Sequence, residues 1–122
     1  MSSPKTIFCD LDGTLTKHPG SEFSTVLQDP DHRLELLPGV KEFLMKIDKE
    51  RYHLVITTGR KESGREATIK QLQKAGILYD QLIMGFGGGD RILINDRKEG
   101  SDRDTASAIN LTRNEGVLDI EI

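Results

Sequence analysis

At 122 residues, with 35% apolar side chains and 12 glycines, the chain has the length and composition of one soluble globular domain spanning residues 1–122. Its formal charge is only -3, with acids and bases mixed along the length, which argues against the basic surface of a duplex-DNA binder and against attraction to an anionic membrane. The single cysteine, Cys9, cannot close an internal disulfide, no apolar run approaches the ~18 residues of a membrane span, and the apolar residues behind Met-Ser-Ser-Pro-Lys are too few for a signal-peptide core; a cytoplasmic protein with small-molecule partners is expected.

In chain order, TIFCD (6–10) is a short β-prone run bounded by the turn residue Gly13, and reads as a buried strand. Residues 17–36 are polar and carry Pro19, Gly20 and Pro30, so they read as a loop with a small hairpin around 23–27. Val40, Phe43, Leu44 and Ile47 then fall at the i, i+3, i+4, i+7 spacing of an amphipathic helix opened by Pro38-Gly39. YHLVITT (52–58) is a second buried strand, and 62–75 is a helix closed by Gly76. Residues 82–84 suggest a third strand, RILIN (91–95) a fourth, 104–114 a helix stopped by Gly116, and 117–120 a last strand. This alternation predicts an α/β fold, a Rossmann-like three-layer sandwich around a mostly parallel sheet.

Ligands of such sheets bind beyond the carboxyl ends of the strands. Asp10 and Asp12 follow the first strand, Thr57, Thr58 and Gly59 close the second, and Asn95 and Asp96 close the fourth, so they are expected at one edge. Three carboxylates gathered there repel one another unless a cation sits among them, and oxygen-only donors without His or Cys suit Mg2+. Thr58 and Gly59, just ahead of a helix start, would offer hydroxyl and N–H donors to phosphate oxygens. A calcium loop is excluded, because an EF-hand needs Glu at the twelfth position and Ser21 stands there.

Asp10-Leu11-Asp12-Gly13-Thr14-Leu15, Thr58 in ITTGR and Asn95-Asp96 in ILIND together resemble the motifs of the haloacid dehalogenase superfamily, and cover the chain from residue 6 to about residue 115. The resemblance implies a magnesium-dependent phosphomonoester phosphatase. In it Asp10 attacks phosphorus to form an aspartyl phosphate, and Asp12 protonates the leaving oxygen and then activates water. It further implies Asp10, Asp96 and the main-chain carbonyl of Asp12 as metal ligands, with Thr58 and Gly59 at the phosphate. Neither 15–56 nor 59–94 is long enough to hold an inserted cap domain, so the site is expected to be open. That suits either a large substrate or a homo-oligomer whose neighbouring subunit supplies the missing wall. Among capless members the YDQLIMG and LIND runs are similar to small capsular-polysaccharide biosynthesis phosphatases, which implies a sugar phosphate or other small phosphorylated substrate.

The family's lysine beside the nucleophile has no clean counterpart. Phe86 occupies its expected place, and Arg91 would begin the fourth strand roughly 16 Å from the edge, at ~3.3 Å per residue, out of reach. Arg60, Lys61 and Lys98 are the candidate substitutes. A catalytically impaired phosphate- or metal-binding protein of the same fold is therefore the alternative. A polynucleotide 3′-phosphatase, suggested by the I-N-D-R run, is disfavoured by the acidic net charge.

Gly87, Gly88 and Gly89 read as a plain turn rather than a phosphate loop, since no strand-to-helix context follows. His18, His32 and His53 share no ligand spacing and read as solvated or packed. Cys9 alternates away from Asp10 and reads as a buried structural thiol. Residues 97–104 read as a solvated loop from which Arg97 and Lys98 could touch substrate.

Overall fold

The computed structural model describes residues 3–48 and 50–122. Strand β1 spans Lys5–Asp10, a 3-10 turn Gly20–Glu22 leads into helix α1 at Phe23–Leu27, and helix α2 covers Val40–Lys46. Strand β2 is Tyr52–Thr57, a second 3-10 turn Glu62–Gly64 runs into helix α3 at Arg65–Ala75, and strand β3 is Gln81–Ile83. The three strands form one parallel sheet in the order β1-β2-β3. This is the expected α/β class, with no inserted cap among the described residues.

Local chemistry explains the elements that form. In β2, Leu54, Val55 and Ile56 are all buried, as a central strand covered on both faces requires. Helix α3 stops where Gly76 takes a left-handed conformation (φ 73°) and its N–H reaches the carbonyls of Leu72 and Gln73. Val40 and Phe43 of α2 join Leu11, Leu15, Ile56, Leu72 and Ile77 in one core. The register is what matters for function: Asp10 is opposite Thr57, and Thr57 is opposite Ile83, so the carboxyl ends of the three strands lie level.

Four expected elements differ. Residues 23–27 form a helix instead of a hairpin, because a helical turn buries both Val26 and Leu27, and the Gln71 side chain from α3 donates to the carbonyls of Val26 and Asp29 at its end (both 2.7 Å). No fourth strand forms at 91–95, no helix at 104–114 and no last strand at 117–120. Ile92, Leu93 and Ile94 are 86%, 60% and 91% exposed. A strand is held by ladder bonds to a neighbour, and β-propensity without one does not suffice. A helix of that length likewise needs an apolar face packed on a core, and Ile109 is exposed.

The segment 111–118 does pack, without regular structure. Val117 enters the core and its N–H donates to the Pro38 carbonyl (3.0 Å). Gly116 (φ 90°) lies so close to that carbonyl that a Cβ would meet its oxygen at 2.1 Å. The Asn114 N–H donates to the Gly13 carbonyl (2.8 Å), and its side-chain oxygen accepts from the His18 N–H (2.7 Å). The chain's end therefore braces the loop that follows β1.

Candidate active site

The loop after β1 winds around one carbonyl. Leu11 O accepts the N–H groups of Thr14, Leu15 and Thr16 at 3.0 to 3.2 Å, and the Gly13 N–H reaches Thr16 O at 2.7 Å. Gly13 has φ 91° with Arg113 against it, so a side chain there would be both strained and crowded. Leu11 and Leu15 are fully buried and anchor the turn in the core. Thr16 is buried too, and its hydroxyl has no partner among the described residues.

This turn aims Asp10 and Asp12 differently. Asp10 stands at the level edge of the sheet, where its Oδ2 accepts from the Thr14 hydroxyl at 3.2 Å. Partial desolvation holds its carboxyl above the usual carboxylate range, and the Asp12 charge adds to this; the Leu11 N–H, the Thr14 hydroxyl and the charge of Arg91 act in the opposite sense. Asp12 turns inward, with a side chain only 7% exposed, against Arg60. Arg60 Nε donates to Oδ2 at 2.9 Å and an Nη to Oδ1 at 2.8 Å, a two-pronged ion pair.

Arg60 is itself fully buried, and its other Nη donates to Thr68 Oγ1 (3.0 Å) and Gln71 Oε1 (2.7 Å) on α3. Of the substitutes considered for the missing lysine, Arg60 is thus committed to Asp12. Thr68 and Gln71, three residues apart on the buried face of α3, were the sequence's unread signal for this network.

Thr58 and Gly59 lie just past β2. Thr58 is buried, its N–H donates to Ile83 O (2.9 Å), and its hydroxyl oxygen accepts the Arg60 N–H (3.2 Å). Gly59 lies under the glycine loop: a Cβ on it would come within 2.2 Å of the Gly87 carbonyl. That loop makes a turn, as expected of Gly87 to Gly89. It then corrects the expectation for Arg91. With no strand to carry it away, Arg91 folds back over the Phe86 ring, 4.3 Å from its centroid, and donates to the carbonyls of Gly87 and Gly89. From there its charge is the smallest of the influences on the Asp10 carboxyl, which burial dominates.

Asp96 is the residue the structure does not bring in. Among the described residues no three His, Cys, Asp or Glu side chains cluster to hold a metal, so Asp10, Asp12 and Asp96 are not gathered. The reason is the absent fourth strand: Asp96 sits in an exposed loop, where its carbonyl accepts from the Thr105 hydroxyl and Asn95 Nδ2 donates to the same hydroxyl oxygen at 2.6 Å. Arg97 pairs there with Asp104 (3.0 Å). Asp10 nonetheless fits a hard cation. Its near hydrogen-bond donors are neutral, and among the described residues it forms no ion pair. Magnesium is commonly held by one or two carboxylates plus waters.

Cys9 is buried in the core, as expected, and burial with the neighbouring Asp10 charge pushes its thiol up to about 12. Among the described residues no helix is long and apolar enough to cross a membrane.

Comparison with solved structures finds two chains from Pnkp1/Rnl/Hen1 assemblies, one of them described as an RNA repair complex. The first is 31% identical over 75% of this chain with a TM-score of 0.58, and the second 27% identical over 84% with a TM-score of 0.56. This chain spans only 31% and 29% of those two chains. A structure from Vibrio cholerae, 24% identical, shares the fold at a TM-score of 0.51, over 75% of this chain and 79% of its own. No curated protein matches the sequence. The model of the haloacid dehalogenase-like hydrolases matches residues 7–89, which contain β1 from Ile7 onward, the Asp10 and Asp12 turn, β2, α3 and β3, and the chain belongs to that family of hydrolases.

Proposed function

We propose that the protein is a magnesium-dependent phosphomonoester phosphatase that works through Asp10. The observation that carries this reading is the Asp10 carboxylate at the level edge of the parallel sheet, held by Thr14 and free of any ion pair among the described residues. An Asp10 oxygen bonds to phosphorus as the ester P–O bond breaks, and Asp12 passes a proton to the departing oxygen. Asp12 then takes a proton from the water that releases inorganic phosphate and regenerates Asp10. Bound Mg2+, held by Asp10 and the Asp12 carbonyl, would neutralise phosphate charge. Arg91, folded back over Phe86 with its guanidinium on the Gly87 and Gly89 carbonyls, is a candidate for the place of the family's lysine.

With its N–H given to the Ile83 carbonyl, Thr58 would offer the phosphate its hydroxyl proton, and Gly59 its N–H. Asp96 joins the ligand set only if 91–95 moves alongside β1, which is an edge strand of the sheet. An open site without a cap supports a sugar phosphate or similar metabolite as substrate, or a homo-oligomer that completes the wall. The lone buried Cys9 supports a cytoplasmic setting.

The test is hydrolysis of p-nitrophenyl phosphate with and without Mg2+. Turnover that requires the metal and is abolished by Asp10→Asn supports the proposal. Turnover no greater than that of Asp10→Asn overturns it in favour of a non-hydrolysing phosphate- or metal-binding protein. The similarity to a chain of an RNA repair complex favours a second reading, a phosphatase of nucleic-acid 3′ ends. A 3′-phosphorylated oligonucleotide hydrolysed with a kcat/KM well above that of small esters would establish it over the metabolite reading.

A further inference from the structure

The Asp12–Arg60 pair is buried, two-pronged and hydrogen-bonded on to α3. Two charges withdrawn from water rarely stabilise a fold more than apolar residues of the same size would, because desolvation offsets their attraction. Here the pair is supported at every point. Four hydrogen bonds use almost all the donors of Arg60: two go to the two oxygens of Asp12 and two to Thr68 and Gln71. Gln71 spends its own amide donors on the carbonyls of Val26 and Asp29. The Asp12 carboxylate is thereby tied through one guanidinium to the middle of α3 and the end of α1.

We propose that Arg60 is a positioning residue: it fixes the direction of the Asp12 carboxylate relative to Asp10, with Thr68 and Gln71 as its support. The inference rests on the phosphatase reading above. Arg60 cannot carry the proton itself, since arginine does not deprotonate in proteins. It cannot serve as the phosphate's cation either, being fully buried with its donors engaged. What it can do is set geometry. Each carboxylate oxygen has two lone-pair directions. Arg60 occupies one on each oxygen, from the protein side, so the free ones are left in a defined place for the leaving oxygen and the water. A displacement of about 1 Å in such a group costs on the order of 100-fold in rate.

The experiment compares wild type, Arg60→Lys, Thr68→Val and Asp10→Asn with p-nitrophenyl phosphate and Mg2+, with inorganic phosphate as a competitive inhibitor and circular dichroism to verify folding. Lysine keeps the charge and loses the two-pronged geometry, so Arg60→Lys should lower kcat by about 10- to 100-fold while KM and the phosphate inhibition constant stay within about twofold. Thr68→Val removes one support without changing shape, and should lower kcat about threefold with the same split; it decides the question if Arg60→Lys does not fold. Unchanged kcat per folded molecule in the folded variants overturns the inference and makes the network structural only. A rise in KM and inhibition constant together also overturns it, and would make Arg60 a phosphate ligand. Wild type no faster than Asp10→Asn is the failure of the phosphatase reading itself, and the positioning role falls with it.

Discussion

Residues 5–83 and residues 84–122 use similar amino acids to different ends. Among the described residues the first stretch contains every regular element, and its strand residues Leu54, Val55 and Ile56 are buried. The second contains RILIN, as β-prone as any of the three strands, yet Ile92, Leu93 and Ile94 face solvent. What separates them is partnership. β2 has a strand on each side, whereas 91–95 has none, so its propensity finds no ladder to join. The second stretch still matters to the site, because it supplies Arg91 over Phe86 and the Asn114 brace on the Gly13 carbonyl.

The sharpest test of this contrast pairs two isoleucines. Ile56→Ala, in the middle of β2, should destabilise by about 2 to 5 kcal/mol, while Ile94→Ala should stay within about 0.5 kcal/mol. Urea unfolding of both variants checks it, and a large loss at Ile94 would mean that 91–95 is packed in solution.

The junction between the two stretches can be broken next. Gly116→Ala combines a positive φ with a Cβ placed 2.1 Å from the Pro38 carbonyl oxygen, and should cost about 2 to 4 kcal/mol. Gly88→Ala, with nothing within 4 Å, should change stability by less than about 1 kcal/mol. Thermal unfolding of the two proteins side by side measures the difference.

The smallest effect concerns the edge between them, Asp10. Its folded carboxyl is held above the usual range, chiefly by partial desolvation, so the folded state binds its proton more tightly than the unfolded state does. That contribution is fully present below the unfolded pKa of about 3.9 and is lost as pH rises through the folded pKa. Asp10→Asn should therefore be slightly more stable than wild type at pH 7 in chelator, with the gain vanishing below about pH 4. Added Mg2+ should reverse the order, since it stabilises only the protein that binds it. Unfolding midpoints across pH, with and without the metal, test both halves.

Much of the first stretch was legible in the sequence. The 3.6-residue spacing of Val40, Phe43 and Leu44, the apolar run before Thr57 and the Gly76 stop each encode an element within a dozen residues. The helix at Phe23–Leu27 was missed because its stabilising partner, Gln71, is more than 40 residues away. Arg91 was misplaced by assuming a strand that no neighbour completes.

The sequence by itself determined the parallel α/β architecture and the placing of Asp10 and Asp12 on the turn after β1, because those follow from local periodicity, a glycine at a left-handed turn and one short motif. Only the tertiary structure decided that Asp12 faces a buried Arg60, that Asp96 stays apart, and that Arg91 folds back over Phe86. Burial and charge pairing depend on which distant segments meet, and no local pattern specifies that.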